Sequence, residues 1–95
     1  MKTDLEDGWR SFVQLCTKTK DQQQLKELFD LFLTIEEKEN LAMRYLIIKD
    51  LLEGQKTQRE LAADLGVSIS KITRGSNALK IITSPLRGFL EKKMT

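Results

Sequence analysis

TQRELAADLGVSISKITRGSN, residues 57–77, has the spacing of two short helices around a tight glycine turn. Thr57 followed by Glu60 is a capping box, in which each residue's side chain reaches the other's backbone amide and starts a helix. Leu61, Ala62 and Leu65 then fall on the inner side of that helix. Gly66 turns the chain, and Ser68 caps a second helix expected to run to Lys80, with Ile69, Ile72 and Leu79 at helical spacing while Ser70, Lys71, Thr73 and Arg74 point elsewhere. A small residue at Ala62 suits two helices that cross steeply and must approach closely at one point. Residues 57–80 therefore read as a helix-turn-helix, the arrangement that places its second helix in the major groove of DNA.

Four further helices flank this motif, each marked by its punctuation. Thr3 with Glu6 is the expected cap of a first helix carrying Leu5, Trp9, Phe12, Val13 and Cys16. Asp21 with Gln24 starts a second, with Leu25, Leu28, Phe29 and Phe32. Thr34 with Glu37 starts the longest, which runs through Leu52 and stops at Gly54. Ser84 before Pro85 is the expected start of the last, since proline is pre-set for the first helical position; it packs through Leu86, Phe89, Leu90 and Met94. From Leu41 to Leu52 apolar residues cover most of the circumference of the long helix, where a surface helix would show one stripe. Its expected extra partner is a second copy of the chain, so residues 3–54 form a dimerisation core and residues 84–94 a C-terminal core helix. The fold class is all-α, six helices in one domain spanning 1–95.

Composition narrows the function. With 95 residues, 40% hydrophobic and 32% charged, one proline and five glycines, the chain has the make-up of a helical domain and not of a disordered one. No apolar run approaches a membrane span, and MKTDLEDGWR is too acidic and polar for a signal peptide, so a cytoplasmic location without membrane partners is the expectation. A single cysteine, Cys16, forms no intrachain disulfide and is expected to be a small buried apolar residue. The absence of histidine removes the usual zinc spacings and the commonest general base, so neither a metal site nor an enzyme is expected. Charge is asymmetric: residues 1–54 hold eight basic and eleven acidic side chains, residues 55–95 eight basic and three acidic. Lys71, Arg74, Lys80 and Arg87 lie in the acid-free gap between Asp64 and Glu91, which would attract a polyanion to the C-terminal half.

QRELAADLG followed by ITRGSNALK, with LTIEEKENL and the single arginine of MRYLIIKDLLEG, resembles the tryptophan repressor family of bacterial transcription factors over about residues 9–91. That resemblance implies an intertwined homodimer of six-helix chains. It further implies binding to operator DNA when L-tryptophan is present as corepressor, and repression of genes for tryptophan synthesis or salvage. Carried over by position, Arg44 and Arg74 would sandwich the indole ring, a use of the guanidinium plane that keeps its charge. Arg74 would also meet the ligand carboxylate, joined by the Thr34 hydroxyl of the other subunit. The carbonyls of Leu31 and Leu33 would accept from the ammonium group, and Gly75 would keep the pocket wall low. The alternatives are an ion pair of Arg44 with Glu37 or Glu39, and a plain phosphate contact for Arg74.

The chain departs from the family at Ala78, where familiar members place a serine whose hydroxyl helps hold the ammonium. The expectation is tryptophan binding that persists with weaker discrimination against analogues lacking the amino group, since a lost hydrogen bond costs about 1–3 kcal/mol unless replaced. For DNA, Gln58 and Arg59 are placed for phosphates and an edge base, and Ile69, Ser70, Lys71 and Thr73 for the major groove. Lys71 suits a guanine or a phosphate, with the phosphate favoured. Ala62 stands where the best-known member has lysine. Two rival readings are a helix-turn-helix regulator that does not answer tryptophan and a helical protein-interaction module.

Overall fold

The computed structural model describes residues 2–94, and side chains for residues 4–94. Six helices form among the described residues, and no strand: α1 (Lys2–Thr17), α2 (Gln22–Phe32), α3 (Ile35–Glu53), α4 (Gln58–Leu65), α5 (Ile69–Lys80) and α6 (Ser84–Met94). They fall into two compact units, Met1–Lys38 and Glu39–Thr95.

In the first unit the helix ends follow the sequence closely. The Asp21 carboxylate accepts from the Gln24 amide at 2.9 Å, and the Gln24 side chain accepts from the Lys20 amide at 2.8 Å. Thr34 and Glu37 exchange bonds of 3.1 and 2.8 Å at the start of α3. The expected cap at Thr3 needs correction: α1 begins at Lys2, so the Thr3 backbone is already helical, and its side chain lies outside the described residues. An aromatic group joins α1 to α2: the Phe12 ring lies 5.2 Å from Phe32 edge-on, 6.2 Å from Phe29 and 6.0 Å from Trp9. Such pairs hold geometry as well as burying area. No described residue of this unit is fully buried, however; Leu5, Trp9, Leu31 and Ile35 are all more than half exposed, and Cys16, expected inside, is only half-buried.

The second unit has a core. Ile47 of α3, Leu61 and Ala62 of α4, and Ile72 of α5 form one buried cluster, with Met43, Leu51, Leu65 and Val67 packed against it. Leu79 is buried as well. Thr57 and Glu60 form the capping box at 3.1 and 2.9 Å, and the Ser68 hydroxyl accepts from the Lys71 amide. Gly66 takes φ 68° and ψ 35°, the left-handed conformation that ends α4 and that a side chain would oppose. Ile69 is half exposed, because the first residue of α5 lies before the turn that meets α4.

Three further expectations need correction. The cap of α6 is Thr83, whose hydroxyl accepts from the Leu86 amide at 3.3 Å; Ser84 is already helical and Pro85 second in the helix, a place its φ and missing amide also suit. Leu86 and Phe89 are exposed, leaving Leu90 and Met94 as the partly covered residues of α6. Arg87 does not belong to a free basic run: it donates to the Leu79 carbonyl at 3.4 Å and pairs with Glu91 at 3.5 Å, which ties α6 to the end of α5. The long α3, apolar all round, has Ile47 as its one buried residue among those described, with Leu41, Tyr45 and Leu46 exposed.

Candidate ligand cleft and nucleic-acid interface

The contact of α5 with α3 is set by a missing side chain. A Cβ at Gly75 would stand 2.9 Å from Ile47 Cγ2 and 3.4 Å from Leu51 Cδ1, so glycine lets the two helices approach to a distance no other residue allows. Above this contact, towards the start of α5, the helices part into a cleft of about 370 Å³. It is lined by Asn40, Leu41, Met43, Arg44 and Ile47 from α3 and by Lys71 and Arg74 from α5.

The volume is that of a small-molecule site, and the lining combines an apolar floor with a few convergent polar groups. Three of those groups are cations and none is an acid. Neither arginine nor Lys71 takes part in an ion pair among the described residues. The ion pair considered for Arg44 with Glu37 or Glu39 does not form, and Glu37 instead accepts from the Thr34 amide. Guanidinium groups facing one apolar cleft can stack on a planar ring and still bind an anion, so the residues present fit an aromatic amino acid such as L-tryptophan.

Arg44, Arg74 and Lys71 are thus brought together, while Gly75 is buried against Ile47 and Ala78, half-buried one turn on, does not line the cleft of a single chain. Leu31, Leu33 and Thr34 belong to the other compact unit. There, Leu31 and Leu33 end α2, where helical carbonyls lack amides to accept from and the helix dipole is negative. The Thr34 hydroxyl oxygen caps α3 and still has its proton to donate. Sequence reasoning overlooked Asn40, Leu41, Met43 and Ile47 as lining residues and assigned Lys71 to DNA alone. Helical spacing could have found most of them: Asn40, Leu41 and Ile47 lie four before, three before and three after Arg44, and Lys71 three before Arg74.

On the outward side, Gln58, Arg59, Ile69, Ser70, Lys71 and Thr73 are all exposed. Two of them, fifteen residues apart, meet: the Thr73 hydroxyl donates to Gln58 Oε1 at 3.2 Å across the helix-turn-helix. At the base of α4, Lys56 Nζ lies 2.6 Å from Asp64 Oδ2, and this hydrogen bond, then the carboxylate charge, raises the Lys56 pKa. The Thr57 backbone amide, then its hydroxyl, holds the Glu60 carboxyl below its ordinary value. Both pairs are solvated and matter for local order more than for overall stability. No group of three or more His, Cys, Asp or Glu side chains could hold a metal ion among the described residues, and no described helix is long and apolar enough to cross a membrane.

Fold and site together define a helix-turn-helix transcription regulator. The chain belongs to the Trp repressor protein family, whose profile matches residues 7–94. This is a family of DNA-binding repressors that use tryptophan as corepressor. A relative named Trp operon repressor homolog from Chlamydia trachomatis serovar D is 49% identical over 99% of this chain and 100% of its own length. The relative of the same name from Chlamydia caviae is 50% identical, covering 90% of this chain and 85% of its own. One from Vibrio campbellii is 42% identical over 76% and 72%.

Proposed function

We propose that this chain is a homodimeric repressor that binds the operators of tryptophan synthesis or salvage genes in the cytoplasm when L-tryptophan fills the cleft between α3 and α5. The observation that carries the reading is the pair of arginines, both without ion-pair partners among the described residues, one on the core helix and one on the reader, lining one cleft. Arg44 and Arg74 hold the indole plane between them, and Arg74 also meets the carboxylate. Thr34 of the partner subunit donates its hydroxyl to that carboxylate, and the partner's Leu31 and Leu33 carbonyls accept from the ammonium. With no hydroxyl at Ala78, those carbonyls are the ammonium's acceptors, and discrimination against analogues lacking the amine is weaker. The bound ligand supplies a rigid aromatic spacer between core and reader.

Dimerisation is supported by the apolar surface that one chain leaves uncovered on α1, α2, α3 and α6. In such a dimer the two α5 helices must stand one DNA turn apart, about 34 Å, to enter successive major grooves. Gln58 and Arg59 anchor phosphates, while Ile69, Ser70, Lys71 and Thr73 face the groove. A ligand shifts the dimer towards that spacing only by its preference for the DNA-competent state. Gel-shift titration on operator fragments with and without L-tryptophan tests the whole reading. Wild type should show operator affinity raised by L-tryptophan, and Arg44→Leu only weak, salt-sensitive binding that tryptophan does not change. Operator binding indifferent to tryptophan in the wild type would instead support a tryptophan-independent regulator, and no binding to duplex DNA a protein-interaction module.

A further inference from the structure

The lining of the cleft contains a cation that the two-arginine reading does not use. Lys71 stands one turn before Arg74 on α5, so both side chains leave the same face of the reader, and both line the cleft opposite Arg44. Three positive charges around an apolar floor of Leu41, Met43 and Ile47 repel one another, with no acid among the lining residues to compensate. None of the three pairs with an acid elsewhere among the described residues. A carboxylate placed among them relieves that repulsion, and a ligand without one does not. Stacked guanidiniums keep their edge donors, and the flexible ammonium of Lys71 adds three more beside those of Arg74 on the reader side of the cleft.

We propose that Lys71 is a ligand-binding residue of the cleft, selecting planar aromatic ligands that carry a carboxylate, in addition to any contact with DNA. The proposal rests on the reading of the cleft as the corepressor site. Lys71 donates to the carboxylate from the reader side, so the ligand's charge is held by the helix that must move. The site discriminates by charge at the ligand's carboxylate end, and its affinity falls with rising salt because an exposed ammonium is involved.

Isothermal titration calorimetry in the absence of DNA tests this, with the full chain and three probes: L-tryptophan, indole-3-propionate, which lacks the amine, and tryptamine, which lacks the carboxylate. Lys71→Met should weaken L-tryptophan and indole-3-propionate about tenfold, leave the already weak binding of tryptamine unchanged, and flatten the salt dependence. Lys71→Arg should restore most of the loss. Equal affinities and salt slopes for L-tryptophan in wild type and Lys71→Met would overturn the assignment of Lys71 and leave the corepressor reading intact. Equal losses for all three probes would make Lys71 a packing residue and overturn its charge selectivity. Failure of every probe to bind wild type would remove the corepressor reading itself.

Discussion

The two compact units of this chain are built on different terms. Glu39–Thr95 folds around its own interior, with Ile47, Leu61 and Ile72 almost wholly out of water. Met1–Lys38 has aromatic rings in contact yet no fully buried residue among those described, and leaves Trp9 68% and Leu31 78% exposed. Apolar area removed from water is what stabilises a fold, so the reader unit carries its own stabilisation while the N-terminal helices depend on surface they do not supply themselves. The lesson is a division of labour: one region sets a precise internal geometry, and the other leaves its apolar residues open to solvent in the single chain.

The strongest way to break this contrast is to truncate one side chain from each region. Leu61→Ala should cost about 2–5 kcal/mol, a cavity in a small core, and lower the urea midpoint at every protein concentration. Trp9→Ala should barely affect the reader's own packing but raise the dimer dissociation constant about tenfold or more, measured by sedimentation equilibrium. An unchanged dimer after loss of Trp9 would show that the exposed α1 face is not the interface.

Glycines give the next contrast. Gly75→Val drives a side chain into Ile47 and should destabilise by about 1–3 kcal/mol, with ligand affinity falling as α5 is pushed from α3. A Cβ added at Gly8 would meet nothing within 4 Å in the single chain, so Gly8→Ala should be neutral or stabilise by up to about 1 kcal/mol through helix propensity. Thermal unfolding of the two variants reads both effects; a destabilised Gly8→Ala would place a partner's surface against that point of α1.

The smallest effect is at the caps. Thr57→Ala should cost about 1 kcal/mol and fray α4, visible as faster amide exchange at Glu60 and Leu61. Because the Thr57 amide lowers the Glu60 pKa, the stabilisation is present above the ordinary carboxylate range and is lost as pH falls through and below it. An acid titration followed by amide exchange should therefore loosen the start of α4; Glu60→Gln, with no carboxylate to protonate, should remove most of that pH dependence, while Thr57→Ala keeps the backbone amide and removes only the hydroxyl's smaller share. The opposite sign holds for Lys56: its pKa is raised, so the contribution of its own charge is present below the ordinary lysine value and is lost as pH rises through the raised one.

These features were legible to different degrees. Capping boxes at Thr57 and Thr34, the Asp21 and Ser68 caps and the Gly66 turn depend on residues within a turn of one another, so their spacing in sequence is their spacing in space. Thr83 was missed by one position because two hydroxyl residues precede Pro85 and proline is tolerated through the first helical turn. Arg44 and Arg74 were found through family resemblance, since nothing local says that residues thirty apart share a cleft. The half-exposure of Cys16, the recruitment of Arg87 by the Leu79 carbonyl and the approach of Ile47 to Gly75 are tertiary facts with no local signature.

The bond from Thr73 to Gln58 has a consequence for information. A glutamine with both ends of its amide free can pair with adenine, which presents one donor and one acceptor in the major groove. With one lone pair of its oxygen engaged by Thr73, the Gln58 amide is held in one orientation, with its two N–H donors and a single remaining acceptor site to offer. A single internal hydrogen bond thereby sets the direction in which this exposed side chain can present its remaining donors and acceptor.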